Sequence, residues 1–190
     1  MKKPAVFLDR DGTINEQMGY INHVSRFVLL KGASEAVRLL NQSGRLAIVV
    51  SNQSGVARGY FPIHLVHEVH KHMAGLLKKE GAYVDAVYFC PHHPSGKVQE
   101  YRRSCRCRKP ETGLIEECFK RFDIDPSGSF LVGDRCSDME LAEKANLRGI
   151  LVKTGYGLGE IKYVLPRTRL EPIIADDLLS AVRLIVSGKT

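Results

Sequence analysis

The chain has no tryptophan, and aromatic residues make up only 7% of its 190 positions. Bases of a single strand stack on aromatic side chains, so this scarcity argues against a nucleic-acid groove, although the formal net charge is +7. No apolar run approaches the ~20 residues that a membrane span needs. The basic start Met1-Lys2-Lys3-Pro4 is followed by four apolar residues and then an Asp, so no secretion signal is expected and the default compartment is the cytoplasm. Cysteines are few and odd in number, five. In such a compartment that favours reduced thiols or metal ligands over disulfides. The 44% hydrophobic content suffices for one core, and the expectation is a single domain over residues 1–190 with one inserted loop.

Charge excess suits phosphorylated substrates, nucleic acid or an anionic surface, and does not choose among them. Much of it is local: Arg102, Arg103, Arg106, Arg108 and Lys109 fall together, interleaved with cysteines.

Short apolar runs alternate with segments of helical period. Strands are predicted at residues 5–8, 46–50, 84–89, 129–132 and 149–152. Helices are predicted at 34–42 (Ser34 as N-cap, Gly44 as stop), 63–80, 112–122, 137–146 and 176–187. This alternation implies an α/β fold: a Rossmann-like parallel sheet with helices on both faces, and no large cap domain. Ligands of such sheets sit at the carboxyl ends of strands. Asp9 and Asp11, Ser51 and Asn52, and Asp134 all follow apolar runs and are therefore expected to meet.

Asp9-Arg10-Asp11-Gly12 puts two carboxylates at the end of the first strand. Alone, the pair reads as an Asp-Gly turn or as a place for Mg²⁺ and a phosphoryl group. A carboxylate there could also attack phosphorus. Asp134, after Gly133, reads alone either as a helix cap or as a further metal ligand. Residues 91–110 form the one long irregular stretch, and it is bordered by Cys90-x-His92 and Cys105-x-Cys107 with twelve residues between the pairs. Three thiols and an imidazole suit tetrahedral Zn²⁺, with His93 able to replace His92. His64, His67, His70 and His72 lie on a predicted helix and read as a solvated face.

Taken in order, Asp9-Arg10-Asp11-Gly12-Thr13-Ile14-Asn15, Gly19-Tyr20, Ser51-Asn52-Gln53-Ser54-Gly55, Cys90-Pro91-His92-His93-Pro94, Cys105-Arg106-Cys107-Arg108-Lys109-Pro110 and Gly133-Asp134-Arg135 with Asp138 resemble the haloacid-dehalogenase superfamily. Within it, the chain resembles the heptose-bisphosphate phosphatases. Ser51 stands where Thr is frequent, and Arg135 where Lys is often found.

The resemblance implies a phosphatase working through an aspartyl-phosphate. Asp9 would be the nucleophile, and Asp11 the general acid and then the general base, in surroundings that favour its neutral form for the first step. Mg²⁺ would be held by Asp9, the Asp11 carbonyl and Asp134, with Lys109, Ser51 and Arg108 completing the catalytic set. Substrate contacts would come from Asn15, Gln17, Met18, Gly19, Tyr20, Ser51, Asn52, Gln53, Ser54, Arg108, Lys109 and Arg135. Asp138 would support the site or cap a helix. The resemblance picks Cys90, His92, Cys105 and Cys107 for a structural Zn²⁺ that staples the loop and presents Arg108 and Lys109, with nearby arginines favouring thiolates.

The implied partner is a small phosphorylated sugar, handled by a monomer, with neither nucleic acid nor membrane involved. Histidinol-phosphate phosphatase is a rival with a typically shorter metal loop. A nucleic-acid 3′-phosphatase or a zinc-stapled nucleic-acid-binding module would fit the charge, but the module leaves the three aspartates unexplained.

Overall fold

The first strand, β1 (Lys3–Leu8), is wholly apolar over its last four residues, and those four are fully buried. A strand buried on both faces belongs inside a parallel sheet. It lies between β2 (Leu46–Asn52) and β4 (Ile124–Gly133), pairing parallel with each. The computed structural model describes residues 2–189. Its other strands are β3 (Ala86–Cys90), β5 (Arg148–Val152) and β6 (Ile173–Ala175), giving a six-stranded parallel sheet in the order β3-β2-β1-β4-β5-β6.

The helices are α1 (Ala33–Gln42), the single turn α2 (Gly55–Arg58), α3 (Ile63–Lys79), α4 (Gly113–Arg121), α5 (Cys136–Lys144), the short α6 (Gly157–Gly159) and α7 (Leu178–Ser187). Strand periodicity of two separates the layers. Val6, Leu8, Val49, Val132 and Ile150 pack with α1, α3 and α7 on one face. Phe7, Ile48, Val50, Leu131 and Leu151 pack with α4 and α5 on the other. Each such side chain contributes roughly 1.5–3 kcal/mol by leaving water.

Strand order reverses direction at β1, because β2 continues to one side and β4 to the other. That is the switch point where a crevice opens beyond the carboxyl ends. No helix among the described residues is long and apolar enough to cross a membrane.

Candidate active site

Asp9 leaves β1 tethered by its backbone N–H to the Val132 carbonyl of β4, at 2.9 Å. The chain then turns at Gly12, which has φ +88, a conformation glycine adopts without strain. A side chain at Gly12 would strike the Asp134 carboxylate, and so would one at Gly155. These two glycines let the loops after β1 and β5 close over Asp134.

A cavity of about 380 Å³ opens above the strand ends. Asp9, Asp11, Ser51, Asn52 and Lys109 line it, together with Gln17, Gly19, Tyr20, Ser54, Arg108 and Arg135. Lys109 is buried at the cavity floor, and its ammonium reaches Asp9 at 2.6 Å, Asp138 at 2.7 Å and the Val50 carbonyl at 3.1 Å. Burial favours the neutral amine, but the two carboxylates outweigh it and raise the Lys109 pKa. Asn52 clamps the Lys109 backbone by accepting from its N–H at 3.0 Å and donating to its carbonyl at 3.1 Å.

Asp134 takes the Tyr156 backbone N–H on Oδ2 at 2.8 Å, whereas its buried Oδ1 has no protein partner. An orphaned carboxylate oxygen beside Asp9 is the donor that a hard cation wants, so the site fits Mg²⁺. Asp9, Asp134 and Asp138 each bring an oxygen within 4.8 Å of the others. Asp138 shares Lys109 with Asp9, and it also accepts the Arg135 backbone N–H at 3.2 Å and caps α5. Burial, opposed by Lys109, pushes the Asp9 pKa up to about 6. Burial and the Asp9 charge push Asp134 up to about 8.

Asp11 is arranged differently from the expectation. Burial pushes its carboxyl up, but Arg10, Asn15 and Gln53 donate to it and bring it below the usual range. The free site thus holds Asp11 charged, where surroundings favouring its neutral form were expected. The same contacts correct two substrate assignments. Asn15 and Gln53 are buried behind Asp11 and do not line the cavity. Met18 also turns away, packing against the core.

Sequence reasoning missed Arg58, Ser137, Asp138 as a lining residue, and Tyr156. Tyr156 follows β5 and so obeys the strand-end rule, and its ring lies 4.0 Å under the Arg135 guanidinium. His70, expected on a solvated helix face, is buried and faces Arg10.

The second cluster lies beside this site. The donor atoms of Cys90, His92, Cys105 and Cys107 all fall within 4.8 Å of one another. One tetrahedral ion with bonds of about 2.0–2.3 Å spans such a set, so the group fits Zn²⁺. His92 turns Nδ1 to the thiols, at 3.3 Å from Cys107, while His93 faces Arg58 at 2.9 Å. Burial pushes Cys90 and Cys107 up. Cys105 alone is lowered, because hydrogen bonds from the other two thiols and from the backbone outweigh its burial. Cys118 and Cys136 are buried outside the cluster.

Comparison with known proteins gives concordant relatives. A family model described as "HAD-hyrolase-like" matches residues 106–180. The D-glycero-D-manno-heptose-1,7-bisphosphate 7-phosphatase of Thermosynechococcus vestitus is 41% identical over 189 residues, which is 97% of this chain and 96% of that protein. The D-glycero-beta-D-manno-heptose-1,7-bisphosphate 7-phosphatase of Haemophilus ducreyi is 41% identical over 157 residues, 82% of this chain and 86% of that one. Among solved structures, D,D-heptose 1,7-bisphosphate phosphatase from B. bronchiseptica, complexed with magnesium and phosphate, superposes with a TM-score of 0.86. It is 29% identical, and the match covers 97% of this chain and 99% of that one.

Proposed function

This chain belongs to the D-glycero-D-manno-heptose-1,7-bisphosphate 7-phosphatase family of haloacid-dehalogenase-type phosphoric monoester hydrolases, and on that premise we propose that it removes the 7-phosphate of heptose 1,7-bisphosphate through an aspartyl-phosphate. The observation that carries the reading is a buried carboxylate, Asp9, at the cavity floor with a lysine on one side and an orphaned aspartate oxygen near it.

The Asp9 carboxylate attacks phosphorus, and the bond from phosphorus to the sugar oxygen breaks. That oxygen takes a proton from Asp11. Water, deprotonated by Asp11, then attacks the phosphorus and releases inorganic phosphate and free Asp9. Because the free site holds Asp11 charged, the arriving phosphoryl group must raise its affinity for a proton, as a like charge does. Lys109 neutralises Asp9 and the transferring group, while the Ser51 hydroxyl binds phosphoryl oxygens. The carboxylates of Asp9 and Asp134 and the Asp11 carbonyl would hold Mg²⁺, which offsets repulsion between anionic nucleophile and anionic phosphate.

Arg58, Arg108 and Arg135 around the cavity suit a substrate with a second phosphate. The cysteine and histidine group is read as a structural Zn²⁺ site next to Arg108 and Lys109. Free thiols in that group suit a reducing cytoplasm, where the product would feed heptose supply for surface polysaccharide. The enzyme is read as a monomer, as the family resemblance implies, acting on a small phosphorylated sugar of a size that suits the cavity.

Phosphate release from heptose 1,7-bisphosphate (both anomers) and from histidinol phosphate, with Mg²⁺ and with Asp9→Asn as blank, tests this. A large kcat/KM preference for the bisphosphate and a silent Asp9→Asn are expected. Preference for histidinol phosphate, or turnover that survives EDTA, would overturn it.

A further inference from the structure

Arg10 lies between the two aspartates of the first loop and is almost fully buried, at 1% exposure. A guanidinium carries N–H donors in a rigid planar fork, so fixing one edge fixes the others. Its Nη2 donates to both carboxylate oxygens of Asp11, at 2.9 and 2.8 Å, and Nε adds a longer contact of 3.3 Å. The remaining nitrogen, Nη1, lies 3.1 Å from Nε2 of His70. That imidazole sits on α3, a helix that lines no part of the cavity. Its ring meets the edge of Phe89 on β3, with centroids 5.4 Å apart.

Two features make the contact directional. Burial and the adjacent Arg10 charge push the His70 pKa down to about 3, so the ring is neutral and Nε2 can accept at working pH. Asn15 and Gln53 each hold one oxygen of Asp11, whereas Arg10 holds both. Arg10 thus holds the plane of the Asp11 carboxylate together with Asn15 and Gln53, and the far edge of Arg10 rests on His70. Val66, Val69, Met73 and Leu77 anchor α3 alongside His70.

We propose that His70 is a positioning residue that, through Arg10, holds the Asp11 carboxylate in line for proton transfer to and from the substrate oxygen. The proposal rests on the reading of Asp11 as general acid and base.

The experiment compares His70→Leu, His70→Gln and Asp11→Asn on two substrates, heptose 1,7-bisphosphate and p-nitrophenyl phosphate. Gln can place an acceptor near Nε2, and Leu cannot. The sugar oxygen needs a proton to leave, but nitrophenolate does not. General acid catalysis is typically worth ~100-fold or more, so misplacing the acid in His70→Leu should cost about tenfold in kcat/KM on the bisphosphate. The loss on p-nitrophenyl phosphate should be smaller by about fivefold, KM should stay within about twofold, and Gln should recover most of the activity. A purely structural histidine would lower the folded fraction and affect both substrates equally. That result, or Leu and Gln variants of equal activity, would overturn the proposal. If Asp11→Asn itself shows no dependence on leaving group, the acid–base reading falls and the proposal falls with it. If Asp11→Asn shows the dependence and His70→Leu does not, only the proposal falls.

Discussion

Lys109 is the side chain on which most of the site's charge balance turns. It is buried between Asp9 and Asp138, with its backbone clamped by Asn52. Removing one member of a buried ionic group leaves the others uncompensated, at a typical cost of ~3–5 kcal/mol. Lys109→Met should therefore lower stability by about that amount in chemical denaturation and abolish phosphate release. Asp9 and Asp134 make a second prediction. Both have folded pKa values above their ordinary ones, about 6 and about 8. Between the ordinary carboxylate range and those values the folded protein binds more protons than the unfolded chain. Metal-free stability from these groups is thus present at low pH and lost as pH rises through about 6 and then about 8. Mg²⁺ needs the ionised pair and relieves the penalty, so the Tm gain on adding Mg²⁺ should be larger at pH 8 than at pH 6 by thermal shift. A gain that shrinks with pH would contradict this. His70 shows what spacing along a helix conceals. Its register places it on the α3 face against Phe89 and Arg10, and that contact requires knowing how α3 meets β3.

At the scale of elements, the predicted strands and helices recur with shifted ends. Helix α1 begins at Ala33 behind Gly32, whose φ is +81, so Ser34 lies inside the helix and caps nothing. Helix α7 begins at Leu178, capped by Asp177 accepting from the Ser180 N–H at 2.7 Å. Strand β6 was missed because three residues after a proline make no readable run. Strand β4 begins five residues before its predicted start, at Ile124, because its early part holds Pro126 and Gly128 and shifts register against β1. On the proposed zinc reading, the loop over residues 91–110 is the element that a ligand would order. Backbone hydrogen bonds such as Gly96 N–H to the His93 carbonyl and Val98 N–H to the Ala57 carbonyl turn residues 91–110 and tie them down, and the four Cys and His donors converge on one point. Cys105→Ser should abolish bound zinc as measured by elemental analysis. It should also lower kcat at least tenfold with Mg²⁺ saturating, because Arg108 and Lys109 follow the last ligand directly. Unchanged kcat in a zinc-free variant would show that the staple does not position them.

For the whole molecule, charge acts at longer range than any contact. A net +7 chain with arginines around the cavity should draw in a doubly phosphorylated sugar. Raising KCl from about 0.01 M to about 1 M shrinks the Debye length from ~30 Å to ~3 Å, and kcat/KM should fall severalfold while kcat changes little. A flat salt profile would assign affinity to contacts within the cavity alone. The sequence by itself determined the α/β alternation, the fully buried strands and the carboxylates at their ends. Hydrophobic period and residue order are local properties, and Asp9, Ser51 and Asp134 inherit their place from them. Tertiary structure decided the strand order and the switch point between β2 and β4. It also decided which polar groups face the cavity and which face each other. Read from the sequence, Asn15 and Gln53 go to the substrate and Arg10 has no role, yet the fold turns all three onto Asp11. That choice depends on the loops after β1 and β2 packing against α3, and no pattern within one segment encodes the direction of a side chain set by another.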